Sequence, residues 1–345
     1  MLPQHGDCVS TQRAFAQSSQ EIDFPALGIN SSPVDLLVPS SKTRSQGSRA
    51  RFHVWGRRIP AHSMLRLSDK LLVSGPELVI LQFCSHHAKL DMLLDDFCAA
   101  VAAEQEALAR LGDESLQPVL DSALEWERIR RLVAATVVAC EFAGTYRICT
   151  SSPQGKTRYH QRPLMTRASL DDVAYKVGTT AIEQRAHRVA SLMLERSASP
   201  METALSLMLT LPVEFGGFGL SQPELNAAVD VSGVRGLLAK QDTVSPDELW
   251  HNARVAIEYD SAEFHEGSGP SQLTRDALRS NVLTALGYRV FRVTPGVIQT
   301  VSDISLLARQ VAHSLAITLE EPTDIQLSRR YRLFTLLMPR NRRRS

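Results

Sequence analysis

Residues 254–293 constrain the fold more than any other part of this chain. "RVAIEYD" (254–260) is a short apolar run, and "SQLTRDALRSNVLTALG" (271–287) then carries apolar residues at helical spacing and stops at a glycine. "YRVFRVT" (288–294) is a second strand pattern, and "DISLLARQVAHSLA" (303–316) returns to the helical period. Strand, helix, strand, helix implies a right-handed crossover with adjacent parallel strands, so an α/β unit is expected here. The first strand ends on two acids. Glu258 and Asp260 are two positions apart, and the pleat turns both carboxylates to one face. Their repulsion is relieved if a cation neutralises them or if one takes up a proton. The alternative is a strand leaving the core with its acids simply solvated.

Upstream, the pattern is that of an α+β unit. Strand-like runs occur at 34–39, 51–56, 63–67 and 70–74, and the polar, basic "SSKTRSQGSRAR" between the first two reads as a hairpin-like loop. "SGPELVILQFC" opens a helix with Ser74 as cap, Pro76 in the first turn and Glu77 completing a capping box. Helical sequence continues over 88–110 and 115–143, the latter with Leu116, Leu120 and Leu124 flanked by Val119, Ala123 and Trp126. Residues 169–196 look helical, with Ala and Leu at helical spacing, and "SASPMETALSLMLTLP" gives a second cap from Ser199, Pro200 and Glu202. "VEFGGFGLSQPELN" is a Gly-rich hairpin or irregular loop to which the sequence assigns no chemistry.

The expected organisation is an irregular segment at 1–32, an α+β recognition or regulatory domain at 33–165 and linking helices at 166–194. An α/β domain at 195–318 and an Arg-rich tail at 319–345 follow. A net charge of +1 names no partner, so local charge must do so. Cys8, Cys84, Cys98, Cys140 and Cys149 are scattered without CxxC spacing, which points away from a zinc site or disulfide framework and toward a reducing cytoplasm. The sequence has no apolar run long enough to span a bilayer and no secretory leader, so a cytoplasmic protein without a membrane partner is expected.

Cutting phosphodiesters commonly requires acidic oxygens gathered on a rigid frame around Mg²⁺. Asp247 lies eleven residues before Glu258, the interval of a short hairpin, and His265 is five residues beyond Asp260, near enough to orient water or donate a proton. "SPDELWHNARVAIEYDSAEFH" followed by "RDALRSNVLTALGYRVFRV" resembles the PD-(D/E)xK nuclease superfamily, and within it the very-short-patch-repair endonucleases and related bacterial domains. The resemblance covers about 195–317. It implies a restriction-endonuclease-like mixed sheet flanked by helices, with Asp247, Glu258 and Asp260 holding Mg²⁺ or Mn²⁺. It places His265 at the branch's catalytic histidine and implies Glu202, on the preceding helix, as a further catalytic acid beside Glu258. Asp276 and Arg279 match the pattern as structural or phosphate-facing residues, and an ion pair on a solvated helix explains them equally.

Two departures stand out. Asp260 occupies the usual lysine position, which leaves water activation to His265 or to a metal-bound water, and Ser261 replaces the familiar glycine. The function implied is a Mg²⁺-dependent endonuclease acting on DNA, with phage defence or DNA repair as its setting. The alternative is a non-catalytic, antitoxin-like DNA-binding regulator on a nuclease-derived scaffold. "HVWGRRIPAHSMLRLSDKLLVSGPELVILQF" (53–83) and "EFAGTYRI" (141–148) resemble the region that precedes such domains in proteins related to abortive-infection antitoxin regulators. A third option is that the N-terminal domain recognises a protein partner and the nuclease acts only in that complex. "RRYRLFTLLMPRNRRRS" at the C-terminus suits contact with phosphate.

Overall fold

A computed structural model describes residues 34–38, 50–56, 59–61, 63–68, 71–85, 123–149, 156–178, 180–234, 242–260 and 280–338. Strands β1 (Val34–Val38) and β2 (Ala50–Val54) pair in parallel, with Val34 opposite Ala50. The hairpin expected there is therefore corrected, because parallel neighbours need a crossover connection. β3 (Met64–Ser68) and β4 (Leu71–Ser74) form an antiparallel pair with an irregularity between Arg66 and Ser68. Helix α1 (Pro76–Cys84) starts one residue later than the capping box requires, with Gly75 as its N-cap and no side-chain cap. Ser74 instead ends β4 and accepts a bond from Gln82 Nε2 at 3.1 Å, while Glu77 Oε1 accepts from Ser169 Oγ at 2.7 Å.

α2 (Ala123–Ala143) leads to a small hairpin of β5 (Arg147–Cys149) and β6 (Lys156–Arg158). The helical sequence expected over 169–196 forms two helices, α3 (Arg167–Val177) and α4 (Thr180–Leu192), divided where Gly178 takes φ 63°. α5 (Pro200–Thr210) follows the sequence closely: Ser199 is the N-cap, Pro200 sits at the first helical position, and Ser199 Oγ accepts the Glu202 N–H at 3.1 Å. Every residue from Glu202 to Thr210 is buried, so this helix is central. Ser199→Ala is expected to destabilise the fold by about 1 kcal/mol, read by urea unfolding.

β7 (Glu224–Leu225) is followed by β8 (Val229–Asp230) and β9 (Thr243–Val244), which pair with each other, then by β10 (Glu248–Trp250) and β11 (Val255–Tyr259). A helical segment at 280–285 ends at Gly287, φ 82°, and leads to β12 (Arg289–Val293), α6 (Val301–Ser314) and α7 (Asp324–Leu337). The main sheet has the order β12–β11–β10–β7. β10 is antiparallel to both β7 and β11, whereas β11 and β12 run parallel, the crossover pair expected from the sequence.

The two faces of this sheet are buried differently. Ile257, Val255, Trp250 and Val293 join the leucines of α5 and the buried residues of α2, α4 and α6 in one large core that reaches back to Trp55 and Leu78. Leu249 and Ala256 pack with Val282, Leu283 and Tyr288 on the opposite face. The large core includes residues from both sides of 165–195. Cys84 and Cys140 are buried thiols, each with its pKa pushed up to about 12 by burial.

The C-terminal arginines differ most from expectation. Residues 324–337 form a helix, and Arg330 and Arg332 are buried in its packing rather than offered to phosphate. Arg330 lies 4.1 Å over the Phe218 ring, with its N–H groups 3.4 Å from the carbonyls of Gly216 and Gly217. Arg329 Nη1 donates to Glu214 O at 2.6 Å, and Arg332 faces the Trp126 ring. The Gly-rich loop is thus the seat of the last helix. A side chain at Gly217 would meet the Leu211 carbonyl oxygen at 1.9 Å, so Gly217→Ala is expected to destabilise by about 3 kcal/mol or more, measured by the urea midpoint. The remaining arginines, Arg340 and Arg342 to Arg344, lie outside the described residues, as do 1–32, the helix expected over 88–110, Cys8 and Cys98.

Candidate functional site

The acids singled out from sequence fall on two sides of the main sheet. Glu248 pairs directly with Ile257, so the two share a face, and Ser206 Oγ on α5 donates to Glu248 Oε1 at 2.8 Å. Glu202, one helical turn before Ser206, lies on the same α5 side. Its Oε2 accepts from the Ala198 N–H at 2.8 Å and from Asn226 Nδ2 at 3.0 Å, which ties the start of α5 to the end of β7. At 7% exposure, Glu202 is a brace inside the fold.

Glu258 follows Ile257 and points to the other face, the side of Ala256 and Leu249. The β10–β11 register, continued by one step, sets Asp247 against Glu258. Asp247 Oδ2 accepts the backbone N–H of Tyr259 at 2.6 Å, and thereby satisfies a donor that the short ladder leaves over. Asp260 continues the pairing on the other side, its N–H donating to Val293 O at 2.8 Å. Across that parallel pair Arg292 is the register partner of Glu258, and its Nη2 lies 3.3 Å from Asp260 Oδ2. One end of the sheet thus carries Asp247, Glu258 and Asp260 in a row, with one guanidinium beside them.

Glu258 is buried at 5% exposure, whereas Asp260 is half-buried and Arg292 exposed. The hairpin interval read from Asp247 to Glu258 is matched. The convergence of all four expected acids is not, because Glu202 sits across the sheet. Among the described residues, no three His, Cys, Asp or Glu side chains converge as a metal-ligand group. His265, Asp276 and Arg279 lie outside the described residues, as does Ser261.

Two residues that the sequence reading passed over belong to this region. Glu248 is fully buried, its Oε2 has no hydrogen-bond partner, and burial raises its pKa to about 8. The Ser206 hydroxyl works against that rise, while the nearby charges of Asp247 and Glu202 add to it. Its signal was an acid inside "DELW", a run too apolar on its far side to be a solvated strand end. Arg292 was visible only as one basic residue in "YRVFRV". Its place beside the acids depends on the parallel register, which is not written in any local pattern.

No protein-family model, curated protein or solved structure matches this chain. Among the described residues, no helix is long and apolar enough to cross a membrane.

Proposed function

We propose that this protein is a metal-dependent nuclease that hydrolyses phosphodiester bonds of DNA. The observation that carries this reading is the Asp247 carboxylate folded onto the Tyr259 N–H across the β10–β11 hairpin, which sets Asp247 and Glu258 side by side at a sheet end. The mixed sheet flanked by helices supports it too.

The donor set fits a hard divalent cation in a limited way. Mg²⁺ is usually held by one or two carboxylates together with waters and substrate phosphate, so Asp247 and Glu258 suffice as the protein's share. A closed three-acid cage is not required and is not formed among the described residues. When bound, the ion would lower the pKa of water and offset charge gathering on phosphate. Asp247 and Glu258 would hold it, while Asp260 fixes the Arg292 guanidinium at the rim, where an incoming phosphate meets a cation. His265, at the end of the same acidic stretch, is the group proposed to take a proton from water. Glu202 acts in this reading by holding α5 to β7, not by touching substrate.

The test is cleavage of supercoiled and linear DNA by the purified chain with Mg²⁺ or Mn²⁺, set against the same reaction in EDTA. No cleavage of any DNA with either metal would sink the hydrolytic reading. A second reading, a DNA-binding regulator without turnover, is favoured by the Asp260–Arg292 pair, since that acid already has a cation. It predicts DNA binding that is unchanged by EDTA and by Asp260→Ala.

A further inference from the structure

From Phe142 to Leu170 the chain has no Asp or Glu, yet it carries Arg147, Lys156, Arg158, Arg162 and Arg167, with His160 among them. Most of these lie on or beside the β5–β6 hairpin. Lys156, Arg158, His160 and Arg162 are exposed, in alternation with the half-buried Thr157, Tyr159 and Gln161. Lys156 and Arg158 share one face of β6, and Arg158 stands directly opposite Arg147 in the register, a like-charge pairing that costs stability. Arg147 braces the hairpin. Its terminal nitrogens donate to five backbone carbonyls, those of Glu141 and Arg162 at 2.6 and 2.7 Å among them. Glu141 is the acid beside it, with its carboxylate on the Ile148 N–H at 2.8 Å. Among the described residues, no ion pair or hydrogen bond involves the side chains of Lys156, Arg158 and Arg162.

We propose that the exposed side of this hairpin holds the phosphate backbone of DNA through Lys156, Arg158 and Arg162. The proposal rests on the nuclease reading for its choice of DNA and adds where the duplex is gripped outside the acidic row. Three observations argue for this occupant. Cations without acidic partners, in a stretch that contains no acid, make a surface that attracts a polyanion. Lys156 and Arg158, two residues apart on a strand, are separated by about 6.6 Å along the chain, a step of the same order as that between successive phosphates of one DNA strand. The third observation is the route to the acids. Gln161 N–H donates to Thr145 O and Thr145 N–H to Ser197 O, each at 2.7 Å. The adjoining Arg196, also exposed, donates to Asn226 O at 3.1 Å, and Asn226 N–H donates to Asp247 O at 3.1 Å. Steps of this kind add up to on the order of 20 Å, less than one helical turn of duplex at about 34 Å, so one duplex is long enough to lie on both the hairpin and the acidic row.

The experiment is fluorescence anisotropy on the full chain in EDTA, so that binding is read without cleavage. The probes are two labelled duplexes of about 20 base pairs and unrelated sequence, each titrated over a salt series. Both are expected to bind alike, because phosphate contacts carry no sequence information. Lys156→Ala, Arg158→Ala and Arg162→Ala combined are expected to weaken binding by about tenfold or more, and to lower the slope of log affinity against log salt by about 2 to 3. Arg158→Glu alone, at an exposed position, is expected to weaken binding by about tenfold. Arg309→Ala removes an exposed charge elsewhere, one paired with Glu321, and is expected to change neither affinity nor slope. Thermal unfolding checks that the variants keep the fold. Folded hairpin variants that bind with wild-type affinity and slope, or a wild type that binds neither duplex, overturn the proposal. Vesicles containing phosphatidylserine bound in preference to DNA would also overturn it and assign the surface to a membrane. If the hairpin variants lose binding as expected while wild type cleaves nothing with Mg²⁺ or Mn²⁺, the surface stands and the hydrolytic reading falls. If wild type cleaves and those variants bind normally, the reverse holds.

Discussion

Asp247→Asn is expected to lower Mg²⁺-dependent DNA cleavage by about a thousandfold or more while leaving the thermal midpoint nearly unchanged. The substitution separates the two tasks of this side chain. Asp247 accepts the Tyr259 N–H at 2.6 Å, a structural bond, and carries a negative charge opposite Glu258. Asparagine keeps an acceptor oxygen of the same reach and removes only the charge. Asp247→Ala removes both, and is expected to lose about 1.5–3 kcal/mol of stability as well, because the N–H at the ladder end loses a charged acceptor. Cleavage rates from a gel assay and midpoints from circular dichroism decide the matter. An Asp247→Asn protein that cleaves like wild type would mean the carboxylate is only a strand-end cap. Glu258→Gln should behave like Asp247→Asn in the same assay, since both acids share one face.

The crossover of β11 and β12 and the cap of α5 were legible because each is written in neighbouring residues: apolar runs of strand length, a glycine stop, a Ser-Pro-x-Glu start. The parallel pairing of β1 and β2 was not, because a polar basic link looks the same in a hairpin as in a crossover. Ser74 was misassigned for a related reason. Pro76 fixes where α1 begins, and the capping box pattern does not say which of two adjacent residues takes the N-cap. Arginines near the C-terminus were read as a charged tail because composition alone cannot tell a solvated guanidinium from one stacked on Phe218. The Gly216–Gly217 carbonyls that receive Arg330 come from residues more than a hundred positions away.

The site divides in the same manner. Spacing in one strand placed Glu258 and Asp260 on one face, and the hairpin interval brought Asp247 to them. Glu202 could not be placed this way, since which side of the sheet α5 covers depends on tertiary packing. Its cap geometry was legible, and its carboxylate is used near that cap, on the Ala198 N–H and Asn226. Arg292 answers part of the repulsion between neighbouring acids that the sequence posed. It is a cation from the adjacent strand, and its Nη2 lies 3.3 Å from Asp260 Oδ2.

The acid at the far side of that sheet makes the second large prediction. Glu248 is buried with one oxygen bonded to Ser206 and the other without a partner, and its pKa stands at about 8 against an ordinary 4.5. Below about pH 4.5 the carboxyl is protonated whether the chain is folded or not, and it contributes no pH dependence. Between about 4.5 and 8 the unfolded chain ionises it while the folded chain holds the proton, so stability falls as pH rises, by at most about 1.4 kcal/mol per unit. Above about 8 the loss is complete. Glu248→Gln keeps the volume and the acceptor for Ser206 and cannot ionise, so it is expected to exceed wild type in stability at pH 8 by at least about 1 kcal/mol and to lose that advantage at pH 5. Urea unfolding of both proteins in EDTA across this range reads the difference directly, because every other titrating group is common to the pair. Curves that stay parallel from pH 5 to 8 would mean that Glu248 ionises in the folded protein as it does in the unfolded chain, with water or a cation reaching the oxygen that now lacks a partner.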